Sequence, residues 1–321
     1  MRMAVILDPL EKIKVYKDST YAMMVEAARR GHAISVIMPD ALMWKNGAIT
    51  GRAAPLALTG EQPQWYTLGK ADTIALASFD AVLMRKDPPF DIEYVTATWL
   101  LEEAVRQGAR VFNDPRAIRD HSEKLSIMQF PQFCVPTLVS RLDGELHGFI
   151  DEQGDVILKP LDEMGGTGIF RVRRADPNRN VIVETLSERG ARTVMAQRYI
   201  PEIADGDKRV LLIGGKPVPY CLARIPRPGE TRGNLAAGGT GVARPLSARD
   251  LEIAAALGPS LAARGLLLVG LDVIGDYLTE VNVTSPTCFR EITDQSGFDV
   301  PRMFIDALED ALAAGAPPQS S

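Results

Sequence analysis

The sequence is poor in the residues that build disulfide frameworks and zinc sites. Its 321 residues include three cysteines and three histidines. Cys134, Cys221 and Cys288 form no Cys-x-x-Cys pair, so they cannot build a disulfide framework, and we expect a reducing, cytoplasmic compartment. The histidines lie far apart in the sequence, which argues against a zinc site.

Long apolar runs and an excess of positive charge are also missing. The longest apolar stretch, 265–271, is far shorter than the roughly 20 residues that span a bilayer, so we expect no membrane segment. The net charge of −5 argues against a nucleic-acid partner, which usually leaves a basic footprint. If the substrates are anionic, basic side chains must therefore be gathered locally.

The first 115 or so residues alternate short β-branched runs with helical patterns, which is typical of an open α/β domain. The predicted strands are Met3–Leu7, Ala33–Met38 and Ala81–Met84. The predicted helices are Ser19–Arg30 and Asp91–Gln107, each closed by a glycine. Residues 40–75 carry no clear pattern.

The pattern changes around Asn113–Lys124, where we expect a domain boundary and a helix that carries Lys124. Beyond it, short strands joined by turns predict a mixed α+β unit. These strands are Val156–Lys159, Ile169–Val172, Val194–Arg198, Arg209–Ile213 and Lys216–Ala223. Residues 226–245 contain five glycines without apolar periodicity, which is typical of a lid or a disordered segment. Helices near 247–264 and 300–313 and a hairpin near 266–283 complete the prediction.

The predicted hairpin at 266–283 carries three oxygen donors. Glu280 and Asn282 lie two apart on one strand, so their side chains share a face, and Asp272 lies on the partner strand. Such hard donors suit Mg²⁺ when phosphates and water fill its other positions. A two-residue turn would send Asp272 to the wrong face, so we expect a three-residue turn or a bulge. A solvated strand face is the alternative.

A strand that ends in Lys159 runs into a glycine-rich loop containing Gly165 and Gly166. Backbone N–H groups of such a loop can bind phosphates, and the lysine supplies a positive charge. The loop is neither a P-loop nor a dinucleotide fingerprint, because the required glycine spacings are absent. A plain turn would explain it equally.

The strand that ends at Tyr199-Ile200-Pro201 leaves backbone groups that could bind the edge of an adenine, with Asp207 at a distance suited to a ribose hydroxyl. An edge strand followed by a turn is the alternative. Arg209 and Arg224 lie on neighbouring predicted strands, where two guanidinium groups could stabilise a phosphorylated intermediate. Surface ion pairs are the alternative for both arginines.

Two N-terminal segments lie where open α/β sheets bind ligands. Arg85 follows a predicted strand, and Lys17-Asp18-Ser19-Thr20 opens a helix whose N-terminus attracts anions. Without that context, the second segment is simply a good helix N-cap.

The order of these elements resembles the ATP-grasp fold, and several runs resemble the bacterial glutathione synthetase family. The runs are Met84–Asp91, Ile157–Leu161, Asp205–Val210, Pro217–Pro226, Gly229–Gly239 and Thr279–Cys288. The likeness extends over nearly the whole chain except 40–75 and the last thirty residues.

The resemblance implies an N-terminal substrate domain (1–120), a central ATP-grasp lid (121–200) and a C-terminal catalytic domain (201–321) with a flexible loop at 226–245. ATP is expected between the last two. The resemblance assigns contacts with the phosphates, adenine and ribose of ATP to eight residues: Lys124, Lys159, Gly165, Gly166, Gln197, Tyr199, Ile200 and Asp207. It assigns two Mg²⁺ ions, with Mn²⁺ as an alternative, to Asp272, Glu280 and Asn282.

The implied reaction joins γ-glutamylcysteine to glycine through an acyl phosphate, which gives glutathione, ADP and phosphate. The resemblance assigns catalytic roles to Arg209 and Arg224. It assigns substrate contacts to Asp18, Ser19, Arg85, Ser285 and Thr287. The alternatives are another ATP-grasp carboxylate-amine ligase and a non-catalytic nucleotide-binding regulator.

The resemblance also implies a homotetramer. Size-exclusion chromatography with light scattering should then give about four times the chain mass of 34.9 kDa. A mass equal to that of one chain or of two chains would contradict the prediction.

Overall fold

The computed structural model describes residues 1–60, 63–163, 165–235 and 238–315. These residues form three β-sheets and eight α-helices. No helix among them is long and apolar enough to cross a membrane.

The N-terminal sheet combines a parallel centre with an antiparallel edge. Its strands follow the order β4-β3-β2-β1-β6-β7, and β5 also pairs with β3. Strands β2, β1, β6 and β7 are parallel neighbours, whereas β3 runs antiparallel to β2. The strands are β1 (Arg2–Ile6), β2 (Ala33–Lys45), β3 (Ala48–Leu58), β4 (Tyr66–Leu68), β5 (Asp72–Ala75), β6 (Ala81–Met84) and β7 (Val111–Phe112).

The three strands predicted in this region are confirmed, and the unassigned residues 40–75 form most of the antiparallel edge. Strand β6 is buried along its whole length, as expected for a central parallel strand covered on both faces. Residues 40–75 lack that signature because they lie toward the sheet edge, where many of their side chains remain exposed.

Three helices accompany this sheet: α1 (Ser19–Arg29), α2 (Ile92–Arg106) and α3 (Pro115–Asp120). An aspartate caps each of them; the carboxylate of Asp18, for example, accepts a hydrogen bond from the N–H of Tyr21 at 2.6 Å. Gly31 and Gly108 follow α1 and α2 at positive φ, a conformation that glycine adopts without strain.

The central sheet is antiparallel and has the strand order β10-β9-β11-β8. Its elements are β8 (Thr137–Ser140), α4 (Asp143–Gln153), β9 (Asp155–Pro160), β10 (Phe170–Arg173), α5 (Arg179–Leu186) and β11 (Val194–Arg198). Elements β8, α4 and α5 are not among those predicted from the sequence. The expectation of a helix carrying Lys124 was wrong, because α3 ends at Asp120 and Lys124 only precedes a short 3₁₀ turn at Leu125–Gln129.

The third sheet is also antiparallel, with the order β14-β13-β12-β15-β16. Its elements are β12 (Asp207–Ile213), β13 (Lys216–Ile225), β14 (Thr240–Pro245), α6 (Ala248–Ala263), β15 (Leu268–Ile274), β16 (Tyr277–Asn282), α7 (Phe289–Ser296) and α8 (Val300–Ala313). The end of segment 226–245 is therefore a strand and not part of a structureless loop. Its glycine and proline are tolerated because β14 is an edge strand. Ala236 and Ala237 lie outside the described residues.

The apolar cores connect the first and third sheets. One core contains Ile6 and Val273, and another contains Met3 and Leu211. A third core is confined to residues of the central sheet and its two helices. The first and third sheets thus share apolar cores, and the central sheet has a core of its own but also places Met195 of β11 in the first shared core.

A charged network joins α1 to α8. Glu26 accepts hydrogen bonds from Arg29 at 2.6 Å and from Arg30 at 2.7 Å, and Arg30 also donates to Glu309 at 2.7 Å. The hydrogen bonds from Arg29, together with the charge of Arg30, hold the pKa of the Glu26 carboxyl at about 2.

This network predicts a pH-dependent contribution to stability. Because the pKa of Glu26 is lowered on folding, its stabilisation is complete above about pH 4.5 and is lost as the pH falls toward 2. We expect Glu26→Gln to lower the free energy of unfolding by about 1 kcal/mol at pH 7. Urea denaturation should show that difference shrinking below pH 4.5.

The matched control for that experiment is Glu252→Gln. Glu252 is an exposed residue with a single ion pair to Arg249 at 2.8 Å. It should change stability little at any pH, because such surface pairs contribute little. A stability loss in Glu26→Gln that did not depend on pH would contradict the assignment.

Candidate functional site

One face of the third sheet collects the polar residues proposed from the sequence. Across the strands, Asp207 lies opposite Arg224, Arg209 lies opposite Asp272, and Asp272 lies opposite Glu280. Directly opposed residues of an antiparallel pair project to the same face. Asn282 joins them because it lies two residues after Glu280. Four strands thus deliver six polar side chains to one surface: Asp207, Arg209, Arg224, Asp272, Glu280 and Asn282.

A bulge sets the register of the hairpin. Ile274 pairs with Tyr277 and Val273 with Leu278, whereas Asp272 pairs with Glu280. Thr279 is the extra residue, so β16 contains a β-bulge that reverses the parity of the two-residue turn. Of the two predicted solutions, the three-residue turn is wrong and the bulge is confirmed.

Asp272 is enclosed by two arginines. It accepts hydrogen bonds from Arg209 Nε at 2.6 Å and from Arg209 Nη2 at 3.2 Å, and Arg224 Nη2 lies 2.9 Å from its Oδ2. All three residues are buried. Burial alone would raise the pKa of Asp272, but the charges of Arg209 and Arg224 outweigh it and hold the pKa well below its usual range. The carboxylate is therefore ionised at neutral pH.

Asp207 has an unused acceptor. Its Oδ2 lies 2.5 Å from Arg224 Nη2, while its buried Oδ1 has no hydrogen-bond partner in the described structure. Burial raises the pKa of Asp207 to about 6, against the opposing charge of Arg224. A buried acceptor without a donor is costly, so this oxygen suits a ligand hydroxyl.

Glu280 faces two lysines. Lys159 Nζ lies 3.4 Å from Glu280 Oε1, and Lys124 Nζ lies 3.9 Å from the same oxygen. Lys159 comes from β9, so the central sheet reaches the polar face of the third sheet here. Burial alone would raise the pKa of Glu280, but the two lysine charges lower it overall.

The three predicted metal-binding residues provide a suitable set of donors. Asp272 and Glu280 are directly opposed with their pKa values lowered, and the side chain of Asn282 donates to the carbonyl of Gly270 at 3.1 Å, which leaves its amide oxygen available. Across the described residues, no group of three or more His, Cys, Asp or Glu side chains could hold a metal by itself. Two carboxylates and one amide fit a divalent cation whose remaining ligands come from phosphate and water.

A cavity lies between the central and third sheets. It is lined by the proposed nucleotide-binding residues Lys124, Lys159, Gly165, Gly166, Gln197, Tyr199, Ile200 and Asp207, together with aliphatic side chains. The N–H of Tyr199 donates to the carbonyl of Asp155 at 2.9 Å. The N–H of Ile200 has no partner in the described chain and remains available to a ligand.

A second cavity opens between the third sheet and the loops that follow β1 and β6. Asp18, Ser285 and Thr287 line it, whereas Ser19 and Arg85 do not. Ser19 instead accepts a hydrogen bond from the N–H of Phe289 at 3.1 Å. The Arg85 guanidinium donates to Thr20 Oγ1 at 3.1 Å and to the carbonyl of Pro286 at 2.9 Å. Both side chains therefore support the cavity wall from behind.

Sequence reasoning missed Glu123, which fixes the strand that carries two of the predicted metal-binding residues. Its carboxylate accepts hydrogen bonds from the N–H of Val283 at 2.9 Å and the N–H of Thr284 at 3.1 Å. Its backbone carbonyl accepts from the N–H of Val281 at 2.8 Å. Glu123 thus binds the chain on both sides of Asn282. No local pattern marks it, because its partners lie about 160 residues away.

Comparisons with known proteins agree with this geometry. The chain matches the family model described as "Prokaryotic glutathione synthetase, N-terminal domain" over residues 1–119. It matches the model described as "Prokaryotic glutathione synthetase, ATP-grasp domain" over residues 123–297.

Curated relatives extend the match to almost the full length. The glutathione synthetase of Ralstonia nicotianae is 64% identical over 311 residues, which cover 97% of this chain and 96% of that protein. The glutathione synthetase of Nitrosomonas europaea is 60% identical over 317 residues, which cover 98% of this chain and 99% of that protein.

Solved structures share the fold at low identity. The D-cycloserine synthetase DcsG superposes with a TM-score of 0.67 at 16% identity, covering 97% of this chain and 100% of that one. The ATP-grasp ligase PsnB, solved with a minimal precursor, Mg and ADP, superposes with a TM-score of 0.60 at 19% identity. The match covers 98% of this chain and 97% of that one. The predicted fold class, an open α/β domain followed by an ATP-grasp fold, is confirmed. The chain belongs to the prokaryotic glutathione synthetase family.

Proposed function

We propose that this chain ligates γ-glutamylcysteine to glycine at the expense of ATP, giving glutathione, ADP and phosphate. One structural observation carries the proposal: the two cavities meet at a shared set of residues. Lys124, Glu163, Asp272 and Glu280 line both. A nucleotide in the first cavity and a carboxylate in the second would therefore place their reacting groups side by side.

The first cavity supplies the proposed ATP contacts. Lys124, Lys159 and the backbone of Gly165 and Gly166 bind phosphates. The backbone at Gln197, Tyr199 and Ile200 binds adenine, and the unpartnered oxygen of Asp207 accepts from a ribose hydroxyl. Burial lowers the pKa of Lys159, although the adjacent Glu280 opposes that change. A phosphate group would add negative charge here and favour the ammonium form.

Asp272, Glu280 and Asn282 would hold the divalent metal, which we propose to be two Mg²⁺ ions, with Mn²⁺ as a substitute. Such ions neutralise the charge of transferring phosphoryl oxygens. Asp272 and Glu280 supply negative charge, and their arginine and lysine neighbours keep them ionised.

The proposed chemistry has two steps. A carboxylate oxygen of γ-glutamylcysteine attacks the γ-phosphorus of ATP, and ADP leaves. The glycine amine then attacks the acyl carbon, loses a proton, and phosphate leaves. Arg209 and Arg224 balance the negative charge of the transferred group. Ser285, Thr287 and Asp18 contact the substrates, while Ser19 and Arg85 hold those contacts in place.

The protein needs no nucleophile of its own in this scheme. Cys288 is buried, and burial raises the pKa of its thiol, so a thiolate is disfavoured there. Residues 163, 165–167 and 231–234 line the first cavity, and the loops that carry them would exclude water from the acyl phosphate. We further propose a division into three domains, with boundaries at residues 120 and 200, and assembly into a homotetramer. We also propose a cytoplasmic location, which the free cysteines support.

The function is tested by incubating purified protein with ATP, Mg²⁺, γ-glutamylcysteine and glycine. ADP release should require both substrates, and mass spectrometry should detect glutathione. Product with another amine, such as D-alanine, in place of glycine would favour a different ATP-grasp ligase. No ADP release with any acceptor would favour a nucleotide-binding regulator.

Gly270 offers a test of the arginine–aspartate geometry. A Cβ at this position would lie 2.8 Å from Arg209 Cδ and 3.1 Å from Arg209 Nη1. Gly270→Ala should therefore push the Arg209 guanidinium away from Asp272 and lower kcat by about tenfold to a hundredfold. Steady-state kinetics and thermal unfolding should show lost activity in a folded protein.

Gly148→Ala is the matched control. Gly148 lies in α4, and a Cβ there meets nothing within 4 Å. Since alanine is favoured over glycine inside a helix, this variant should keep full activity and be slightly more stable. Equal activity of the two variants would contradict the role given to Arg209.

A further inference from the structure

Three lysines line one wall of the second cavity. Lys12, Lys14 and Lys17 come from the segment between β1 and α1. None of the three forms an ion pair or a side-chain hydrogen bond within the described chain. In a protein with a net charge of −5, three unpaired cations facing one cavity form a local positive surface.

A carboxylate on α7 lines the same cavity. Glu291 lies in the first turn of α7, and its carboxylate accepts a hydrogen bond from its own backbone N–H. Its Oε2 is buried without a partner. The neighbouring Arg290 pairs instead with Asp294 at 3.6 Å. A buried carboxylate oxygen without a donor is costly, and a cation entering the cavity would satisfy it.

Glu291 lines the same cavity as Lys12, Lys14 and Lys17. Burial raises the pKa of Glu291, and the positive charge of Lys17 is close enough to oppose that change. Asp294 and Arg290 also act on it, with opposite signs. The cavity therefore presents an unpaired acceptor beside unpaired cations. Arg209, Arg224 and Asp272 line the same cavity.

We propose that this wall recognises the zwitterionic α-amino acid end of the substrate: Glu291 accepts the ammonium group, and Lys12, Lys14 and Lys17 attract the α-carboxylate. The inference rests on the proposed function and extends it to specificity. A γ-glutamyl group carries both charges on one carbon, so it satisfies the unpaired groups of both signs. Its binding leaves the distal carboxylate of the dipeptide for Arg209 and Arg224.

The test removes one charged group of the substrate at a time and, on the protein, either the charge of Glu291 or the charges of the three lysines. Glutaryl-cysteine lacks the ammonium group, and 4-aminobutanoyl-cysteine lacks the α-carboxylate. With the wild-type protein, we expect each analogue to lower kcat/KM by about tenfold to a hundredfold relative to γ-glutamylcysteine. Glu291→Gln should abolish most of the penalty for glutaryl-cysteine and leave the penalty for 4-aminobutanoyl-cysteine unchanged.

The lysine wall should show the opposite pattern. The triple variant Lys12→Gln, Lys14→Gln, Lys17→Gln should lose the penalty for 4-aminobutanoyl-cysteine and keep that for glutaryl-cysteine. Glu252→Gln, an exposed change on α6, is the control and should match the wild type with all three substrates. If the substituted residues had a purely structural role, kcat/KM would fall by the same factor for γ-glutamylcysteine and both analogues, and the ratios between the substrates would not change.

The outcomes separate this inference from the function itself. If both variants turn over γ-glutamylcysteine and the penalties for the two analogues are unchanged, the recognition role of Glu291 and the lysines is wrong, while the proposed function stands. Absence of turnover by the wild type would overturn the proposed function and this inference with it. If Glu291→Gln does not fold, as judged by circular dichroism, the triple lysine variant still decides the assignment from the other side of the cavity.

Discussion

The site depends on one buried carboxylate held between two guanidinium groups. Asp272 contacts Arg209 and Arg224, and all three side chains are buried. Removing Asp272 would leave the buried guanidinium of Arg209 without its carboxylate partner, a change that typically costs about 3–5 kcal/mol. The cross-strand register must therefore bring three strands into one alignment, and that alignment also delivers Asp207 and Glu280 to the same face.

Two devices hold this register. The bulge at Thr279 turns Glu280 toward Asp272, and Glu123 binds the backbone on both sides of Asn282. Lys124, the next residue along the chain, places its ammonium group near Glu280. A single dipeptide thus both fixes β16 and contributes charge to the wall shared by the two cavities.

Although the chain is acidic overall, lysines cluster around the two cavities where anionic ligands are proposed to bind. Lys124 and Lys159 lie at the junction of the cavities, while Lys12, Lys14 and Lys17 line the far wall of the second. The loops that follow β1 and β6 supply that far wall, at the sheet edge where open α/β folds bind ligands. The shared apolar cores of the first and third sheets hold these loops opposite the polar face.

The sequence by itself determined the common face of Glu280 and Asn282, the strand that ends at Lys159 and the family likeness, because these follow from period-two alternation and contiguous motifs. Only the tertiary structure decided the bulge, the supporting position of Arg85 and the contacts of Glu123. The contacts of Arg85 and Glu123 join segments that are distant in the chain, and the bulge depends on the register of strand pairing. Local periodicity does not encode which residue lies opposite another across two strands. For the same reason, the unpaired Glu291 became visible only when α7 was seen facing the lysines of the N-terminal domain.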